Sequence, residues 1–417
     1  FMSGAASECD LFDYKPELIR RHGQPFNPGG RVELFQSDPG PVMRSPFGWA
    51  RHGASGTWIS DILPNLARCV DDMCFLPAMV SRSNVHGSAT FMQNTGFLQP
   101  GFPSMGAWLS YGLGSMTQDL PAFVVMPDSR GFAPNGPANW SAGFLPAGFQ
   151  GTLLRPNDPN PIFDLFPSPQ SHITPASERD GLALLQQLNR QHLQQRPGDS
   201  RLDARIGSYE LAARLQLSAP EVLEIAGETQ ETHRLYGLDR DTTREFGRNC
   251  LIARRLLERG VRFVQLWSGA DNGFPRRNWD SHEDIERDHA DMATSMDRGC
   301  AGLLRDLKRR GLLDDTIVMW TTEFGRMPCT QGGRGRDHNP FTFTSWFAGG
   351  GFKGGTTYGA SDEWSYRAAE GIATCYDAHA TILHQLGIDH SRLTFRHNGI
   401  DRRLTDVHGH VIDSVLS

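Results

Sequence analysis

Metal-binding side chains follow two strand-like segments in the C-terminal half of the sequence. Asp280 and His282 come after the apolar run 261–267, and Glu323 directly follows the run 317–322. The carboxyl ends of parallel strands meet at one edge of an α/β sheet, and ligands bind at that edge. Because zinc accepts both imidazole nitrogen and carboxylate oxygen, these residues predict a metal site there.

A loop before the next apolar run adds Asp337 and His338. Three such loops in succession favour one shared site more strongly than any single loop does. A simpler interpretation stays open, in which Asp280 only caps the following helix. Likewise, Glu323 could form only a surface salt bridge with Arg326. We expect a divalent ion, with zinc ahead of calcium and magnesium. Its predicted ligands are Asp280, His282, Glu323, Asp337 and His338.

A second group of candidates surrounds the start of a short helix predicted at residues 89–96. His86 and Ser88 stand at its N-terminus, where free backbone amides and partial positive charge bind anions and stabilise an attacking nucleophile. In the alternative interpretation, Asn84 or Ser88 simply caps the helix. The pattern therefore indicates an anion site or a helix cap, and the sequence does not separate the two.

Arginines flank the same loops. Arg326 follows Glu323 closely, and Arg336 directly precedes Asp337. A guanidinium group matches the oxygens of phosphate, sulfate or carboxylate, although each arginine could equally be an ordinary solvated one. The predicted catalytic residues are His86, Ser88, Arg326 and Arg336.

Alternating strands and helices must position these residues. The predicted strands lie at 74–76, 122–126, 261–267, 317–320 and 342–348, and the predicted helices at 59–67, 89–96, 107–111, 285–310 and 378–386. This rhythm predicts an α/β protein with a mainly parallel sheet that helices cover on both faces.

The domain organisation is expected to be a single α/β domain over residues 1–417. Within it, leucines at helical spacing in residues 177–258 predict a helical insertion or cap on the sheet. Phe1 and Met2 look like the last residues of a strand, so we expect that a preceding segment, such as an export signal, has been removed.

Composition excludes some function classes. The 417 residues contain 41 Lys plus Arg and 47 Asp plus Glu, for a formal net charge of -6. A mildly acidic chain is a poor general nucleic-acid binder, because such proteins need a basic surface. No run of about 18 apolar residues occurs, so no transmembrane segment is expected. Seven cysteines without a CxxC pair leave the compartment undecided.

Longer motifs give the sequence a family resemblance. They are WDSHEDI, GLLDDTIVMWTTEFGRMP and the run starting GRDHNPFTFTSWFAGGG, with PSMGAWLSYGLGS and NWSAGFLPAGFQGT nearer the N-terminus. Over nearly the whole chain the sequence resembles the bacterial family called domain of unknown function 1501, which is related to the sulfatases and the alkaline phosphatase superfamily. The resemblance implies a doubly wound α/β fold, a metal centre at the strand tips and export from the cytoplasm.

Two departures from the superfamily pattern affect the expected chemistry. His86 stands where the resemblance places the modified cysteine nucleophile of sulfatases, so the usual sulfatase mechanism is not expected. Ser3 stands where the first strand of the superfamily ends in a metal-binding Asp, so a second metal position is expected to be weak or absent. The superfamily's strand-end carboxylate falls on Glu323, and its late histidine falls on His338.

Two functions follow as hypotheses. The first is a metal-dependent hydrolase of sulfate or phosphate esters, including esters carried on a glycan, that acts outside the cytoplasm with His86 as nucleophile or general base. The second is a catalytically degenerate protein on the sulfatase-like fold that binds a glycan or a protein partner. A phosphate-moving isomerase or mutase is allowed by the superfamily, but no residue supports it. The sequence does not indicate the oligomeric state.

Overall fold

The computed structural model describes residues 1–35, 37–162, 172–196, 202, 206, 220–271, 273 and 276–417. Its helices are α1 (Glu8–Leu11), α2 (Pro16–Arg20), α3 (His86–Thr95), α4 (Met105–Leu113), α5 (Pro175–Gln195), α6 (Gln230–Leu235), α7 (Asp241–Glu258), α8 (Ile285–Arg309) and α9 (Cys375–Gln385). Short 3-10 helices lie at Leu66–Asp72, Gly136–Trp140, Ala147–Phe149 and Asp413–Val415. No helix in this part of the chain is both long and apolar enough to cross a bilayer.

The strands are short. They are β1 (Trp49–His52), β2 (Thr57–Ser60), β3 (Met73–Met79), β4 (Phe123–Met126), β5 (Thr152–Leu153), β6 (Phe263–Leu266), β7 (Val318–Trp320), β8 (Gly325–Arg326), β9 (His338–Asn339), β10 (Phe343–Ala348), β11 (Thr356–Thr357), β12 (Ala360–Ser361), β13 (Ala368–Glu370), β14 (Phe395–His397) and β15 (Ile400–Arg402). β5, β4 and β6 form a parallel sheet, and β11, β3, β10 and β7 form a mixed one. In the mixed sheet β10 runs antiparallel to both β3 and β7.

Met2 connects these two sheets. It forms parallel bridges to Ser268, beyond β6, and to Thr322, beyond β7. The Met2 amide donates to the carbonyl of Thr321 at 2.8 Å, and the Ser3 amide donates to the carbonyl of Ser268 at 2.8 Å. The strand order through Met2 is therefore β5-β4-β6-Met2-β7-β10-β3-β11. Because β10 runs against its neighbours, β3, β6 and β7 all point their carboxyl ends toward the same edge.

Successive side chains along the mixed sheet pack into two different hydrophobic clusters, one on each face. On β3, Met73 and Phe75 join a cluster that contains residues of α8, whereas Cys74 and Leu76 join one that contains residues of α9. The two-residue period of a strand sends neighbours to opposite faces, so helices cover both faces. α7 packs on α8, which adds a second helical layer on one side.

The expected α/β class is confirmed, but a doubly wound, mainly parallel sheet is not. The described strands form six small sheets, of which one is parallel, one is mixed and four are antiparallel pairs, and the bridges at Met2 join only the parallel and the mixed sheet. β10 is reached from β7 through residues 321–342, which contain β8 and β9 but no crossover helix. Without such a crossover a strand cannot return parallel to its neighbour, so β10 is antiparallel.

The helix predicted at 59–67 is wrong. β2 continues to Ser60, and the next regular element is the 3-10 helix Leu66–Asp72. Pro64 lies between them. Proline has no amide proton to donate and disfavours helical geometry in the preceding residue, which explains why no α-helix spans this segment.

The insertion predicted at 177–258 stays a prediction. α7 packs against α8 and β6, while most of the described side chains of α5 are exposed. Residues 197–201, 203–205 and 207–219 of that region lie outside the described part of the chain.

Candidate metal centre

The shared edge of β3, β6 and β7 brings together side chains from distant parts of the sequence. His86 begins α3 after β3, Asp280 and His282 lie in the loop after β6, and His338 begins β9. His86, Asp280 and His338 are buried and offer ligand atoms that all lie within 4.8 Å of one another. His282 is partly buried beside them. The structure thus assembles four of the predicted site residues into one cluster.

The ligand atoms converge closely. Oδ1 of Asp280 lies 3.3 Å from Nε2 of His86, 2.9 Å from Nε2 of His282 and 3.4 Å from Nε2 of His338. Nε2 of His338 lies 3.1 Å from Nε2 of His86 and 2.9 Å from Nε2 of His282. Four ligand atoms at about 2.0–2.1 Å from a tetrahedral zinc ion lie roughly 3.3 Å apart. The separations among His86, Asp280 and His338 therefore match three positions of a tetrahedral ligand set, and His282 lies close to two of these three.

The Nδ1 atoms of these histidines, on the other side of each ring from the Nε2 atoms, show which tautomer each histidine adopts. Nδ1 of His86 donates to Oε1 of Glu323 at 2.6 Å, and Nδ1 of His338 donates to the carbonyl oxygen of Asn84 at 2.6 Å. Nδ1 of His282 bonds the amide oxygen of Gln331. Because these oxygens only accept, each Nδ1 carries the proton and each neutral Nε2 presents a lone pair.

Facing lone pairs repel each other unless a cation or a proton lies between them. Metal-binding histidines typically donate the other ring N–H to a carboxylate or a carbonyl, which is the pattern of His86 and His338. The donor set, three imidazole nitrogens and the Asp280 carboxylate, suits zinc or a similar transition ion better than calcium or magnesium, which prefer all-oxygen ligands. The residues present therefore fit a divalent metal ion.

Glu323 lies behind His86 and not at the point where the ligand atoms meet. Its Oε1 accepts from His86 and also from the amide of Gly4 at 2.8 Å, and its Oε2 accepts from Thr322 at 3.1 Å. The salt bridge to Arg326 that the sequence left open is not how Glu323 is bound. This carboxylate contacts the far nitrogen of a histidine ligand, and its predicted role as a ligand changes to that of an orienting group.

Burial and charge set the protonation of the cluster. Burial opposes ionisation of Asp280, yet Arg326 and the surrounding histidines outweigh it and hold the pKa of Asp280 well below its usual value. Burial also lowers the pKa of His338 to about 4. Burial acts the same way on His86, but its bonds to Asp280 and Glu323 prevail and raise its pKa. Of His86 and His338, the surroundings thus favour the protonated form of His86.

Arg326 is a structural partner of Asp280. Its side chain is fully buried, and Nη2 lies 2.6 Å from Oδ1 of Asp280. Nε donates to the carbonyl of Ala5 at 2.9 Å, and the two terminal nitrogens donate to the carbonyls of Gly4 and Arg336. With its donors used inside the protein, Arg326 is not placed to bind a substrate anion, contrary to the role predicted from its position.

Arg336 does not reach the cluster either. It is fully buried and forms a two-point ion pair with Asp10, from Nε to Oδ2 at 2.7 Å and from Nη2 to Oδ1 at 3.1 Å. Its remaining bonds go to the carbonyls of Met327 and Met43. A guanidinium saturated in this way cannot clamp an ester, so the prediction of a catalytic Arg336 is corrected to a structural role.

Asp337 also turns away from the ligand atoms. Its Oδ1 accepts from the amide of His338 at 2.8 Å, and its Oδ2 accepts from the amide of Phe35 at 3.2 Å and from Oγ of Ser37 at 3.0 Å. This carboxylate organises the loop around His338. We therefore replace its predicted role as a ligand with that of a loop anchor.

The start of α3 lies beside the cluster. Val85 is its N-cap and provides no side-chain hydrogen bond, so neither Asn84 nor Ser88 caps this helix. His86 joins the cluster, whereas Ser88 does not line the cavity next to it. Asp280 does not cap α8 either, because the side chain of Asp284 accepts from the amide of Arg287 there. The capping alternatives left open by the sequence are thus excluded.

A cavity of about 350 Å³ opens onto the cluster. Besides His86, Asp280, His282 and His338, it is lined by Phe35, Val85, Gly87, Pro134 and Arg276. Arg276 lies 3.2 Å from Oδ2 of Asp280 and pairs with Glu283 at 2.7 Å. Sequence reasoning missed Arg276, although its spacing of four residues from Asp280 was a usable signal. It also missed Phe35, which lies far away in the sequence and has no local signal.

Comparison with known proteins places the chain in a family. The profile of the family described as "Protein of unknown function (DUF1501)" matches residues 1–416. No curated protein matches the chain.

Several solved structures resemble the chain at low sequence identity. The phosphonate monoester hydrolase SpPMH from Silicibacter pomeroyi is 14% identical, with 78% of this chain and 68% of that chain covered and a TM-score of 0.37. The lipoteichoic acid synthase LtaP from Listeria monocytogenes is 12% identical, with 86% and 71% covered and a TM-score of 0.34. BT4656, solved with its substrate D-glucosamine-2-N,6-O-disulfate, is 12% identical, with 84% and 76% covered and a TM-score of 0.32. These values are too low to assign an activity or a substrate to this chain.

Proposed function

Because this chain belongs to the DUF1501 family, whose function is unknown, its activity must be inferred from its own site, and we propose a metal-dependent hydrolase of phosphate or sulfate esters. One observation carries the proposal. Three imidazole Nε2 atoms, with their Nδ1 atoms bound to oxygen acceptors, meet one oxygen of Asp280 beside an open cavity. Structural metal sites are closed, whereas catalytic ones keep a position open to solvent.

The proposed metal ligands are His86, Asp280 and His338, whose ligand atoms all lie within 4.8 Å of one another. His282 lies next to the fourth position, which a catalytic site keeps open for water. A bound divalent ion would polarise the ester and activate water. Glu323 would keep the His86 ring oriented, and Asn84 would do the same for His338 through its carbonyl oxygen. Arg326 would hold Asp280 ionised in its buried position. His86, with both nitrogens engaged, is thus proposed as a ligand and not as the nucleophile.

Water is the proposed attacking group. None of the described residues that line the cavity is a serine, a threonine or a cysteine. The histidines and Asp280 could also form covalent intermediates, but they are proposed here to surround the metal. In direct hydrolysis, water adds to the phosphorus or sulfur atom, the bond to the leaving alcohol breaks, and the alcohol oxygen takes up a proton.

Binding of an anionic ester is supported by two neighbours of the cluster. Arg276 provides positive charge on the cavity wall. Val85 and Gly87 also line the cavity, at the start of α3, where no side chain caps the first turn. Amides at a helix N-terminus attract anions. The ester oxygens are thus proposed to lie between Arg276 and the start of α3.

A non-catalytic role remains the second proposal. The lack of a hydroxyl or thiol nucleophile among the described lining residues also suits a protein that binds an anionic ligand, such as a sulfated glycan, without turning it over. Action outside the cytoplasm is likewise proposed, on the family resemblance alone.

The test begins with metal content. Purified protein is analysed for metals by mass spectrometry, beside Asp280→Ala and a control, His384→Ala, which removes an exposed histidine on α9. We expect about one equivalent of zinc or a similar ion in the parent and control proteins and a loss in Asp280→Ala. No metal after reconstitution would overturn the proposal.

Turnover separates the two functions. Metal-loaded protein is assayed with 4-nitrophenyl phosphate and 4-nitrophenyl sulfate, before and after chelation. Product formation that chelation abolishes and zinc restores supports the hydrolase. Metal-loaded protein that binds phosphate or sulfate but releases no nitrophenol supports the binding protein instead.

A further inference from the structure

Phe35 forms an apolar wall beside the cluster of His86, Asp280, His282 and His338. Its ring stacks on the imidazole of His338, with ring centroids 4.7 Å apart and an interplanar angle of 10°. It also lines the cavity that opens onto the cluster. A group attached to an ester bound at the cluster can therefore contact this ring.

The position of Phe35 is imposed by the same loop that carries His338. One oxygen of Asp337 accepts from the amide of Phe35 at 3.2 Å and from Oγ of Ser37 at 3.0 Å, and the other accepts from the amide of His338 at 2.8 Å. A single buried carboxylate thus ties the apolar wall to a ligand residue. Such double anchoring holds the ring in a defined place.

The rest of the wall is also poor in hydrogen-bonding side chains. Apart from the cluster, the described lining residues are Phe35, Val85, Gly87, Pro134 and Arg276. Val85 is 46% exposed and adds apolar surface to this lining. Arg276 supplies charge, but it lies against Asp280 and Glu283. The cavity lining therefore combines the polar cluster and Arg276 with the apolar residues Phe35, Val85 and Pro134.

This distribution discriminates between kinds of leaving group. Sugar hydroxyls buried against Phe35, Val85 and Pro134 would lose water without gaining hydrogen bonds, which is unfavourable. An aryl or alkyl group would instead remove apolar surface from water, and an aryl ring could stack on Phe35. A volume of about 350 Å³ is at the small end of the roughly 300–1,000 Å³ typical of ligand pockets.

We propose that Phe35 is a specificity-determining residue that selects compact phosphate or sulfate esters with an aryl or alkyl group over esters of sugars. This inference rests on the proposed function and names its substrate class. Phe35 would contact the aryl or alkyl group of the ester, whereas the cluster and Arg276 would contact the phosphate or sulfate group.

Binding of stable analogues tests it without turnover. Titration calorimetry on zinc-loaded protein compares phenylphosphonate, inorganic phosphate and glucose 6-phosphate. We expect phenylphosphonate to bind more tightly than the other two. Phe35→Ala should weaken phenylphosphonate roughly three- to tenfold, the size of an aromatic contact, and change phosphate binding less than about twofold. Phe35→Leu, which keeps apolar volume but not the ring, should fall between.

Phe47→Ala is the matched control, because Phe47 is a half-buried phenylalanine that lines a different cavity. It should leave all three affinities unchanged. Zinc content and circular dichroism are measured on every sample. Tighter binding of glucose 6-phosphate than phenylphosphonate, or equal losses for phosphate and phenylphosphonate in Phe35→Ala, would overturn the inference while the metal site stands. Protein that takes up no zinc would overturn the proposed function, and this inference with it.

Discussion

Oε1 of Glu323 lies 2.6 Å from Nδ1 of His86, on the opposite side of the imidazole from the Nε2 atom that faces Asp280. A buried carboxylate in this position fixes the tautomer and raises the basicity of the nitrogen that faces the cluster. Burial opposes ionisation of Glu323, but its bond with His86 dominates and keeps its pKa below the usual value. The two residues are 237 positions apart in the sequence, so only the fold makes this pair.

Glu323→Gln tests the orienting role. The amide oxygen can still accept from His86, but the negative charge is lost, and we expect zinc affinity to fall about 10- to 100-fold with stoichiometry retained at high zinc. Competition with a chromogenic chelator gives the affinity. An unchanged affinity would mean that Glu323 does not support His86 as a ligand.

Asp280→Asn and His338→Ala should differ in stability although both lose metal. Asp280 is the charge partner of the fully buried Arg326, so Asp280→Asn leaves a buried cation uncompensated and should reduce the free energy of unfolding by about 3 kcal/mol. His338→Ala removes no charge partner of an arginine and should cost less. Urea unfolding of the metal-free proteins provides the comparison. Equal losses would contradict the role assigned to Arg326.

Arg336 and Asp10 should behave as a structural pair. Both side chains are fully buried. Arg336→Met should therefore destabilise the protein by about 3–5 kcal/mol, because it leaves the buried Asp10 carboxylate without its charge partner. The double variant with Asp10→Leu should recover part of that loss. Unfolding free energies of the single and double variants form the cycle. If Arg336→Met instead keeps full stability and loses only phosphate binding, the anion-clamp role predicted from the sequence is restored.

Stability should fall as the pH is lowered, in part through His379. Burial lowers the pKa of this histidine to about 4 from an ordinary value near 6.5. Its Nε2 donates to the carbonyl of Gln93 at 3.0 Å, and its Nδ1 has no partner in the described structure, so a second ring proton would find no acceptor. Between pH 6.5 and 4 the unfolded chain binds a proton at His379 that the folded chain does not, so this contribution to stability is complete above pH 6.5 and is lost on acidification.

The effect of His379 on the unfolding free energy can be measured between pH 7 and pH 5. His379 should account for about 2 kcal/mol of the decrease in unfolding free energy over that interval. His379→Gln keeps a donor for Gln93 and removes the titrating group, so its loss between the two pH values should be smaller by that amount. Urea unfolding at both pH values measures it. Identical pH dependence in the two proteins would rule out His379 as the group responsible.

Local sequence signals sufficed for several features. Apolar runs that end in Asp, His or Glu predicted that the strand edge carries a metal-type site, because parallel strands deliver their carboxyl ends to one edge. The strands around 122–126 and 261–267 and the long helix at 285–310 follow from periodicity, and the structure forms β4, β6 and α8 there. Family membership was likewise recognisable from motifs spread along the chain.

Roles within the site were not readable from the sequence. Glu323, Asp337, Arg326 and Arg336 have the right chemistry for ligands and anion clamps, and all lie near the predicted loops. Whether a carboxylate faces a metal, a ring nitrogen or a backbone amide depends on the backbone conformation of the loop and on the side-chain rotamer, and residue spacing encodes neither. The structure turned each of these four toward an internal partner.

The sequence by itself determined the ingredients of this protein: an α/β pattern, an acidic chain without an apolar span, and a set of histidines and carboxylates at strand ends. Only the tertiary structure decided that Met2 would join two sheets, that His86 would meet Asp280 across the edge, and that Phe35 would cover His338. The physical reason is that local periodicity sets which face of an element is buried, whereas contacts between residues hundreds of positions apart depend on how all the elements pack together.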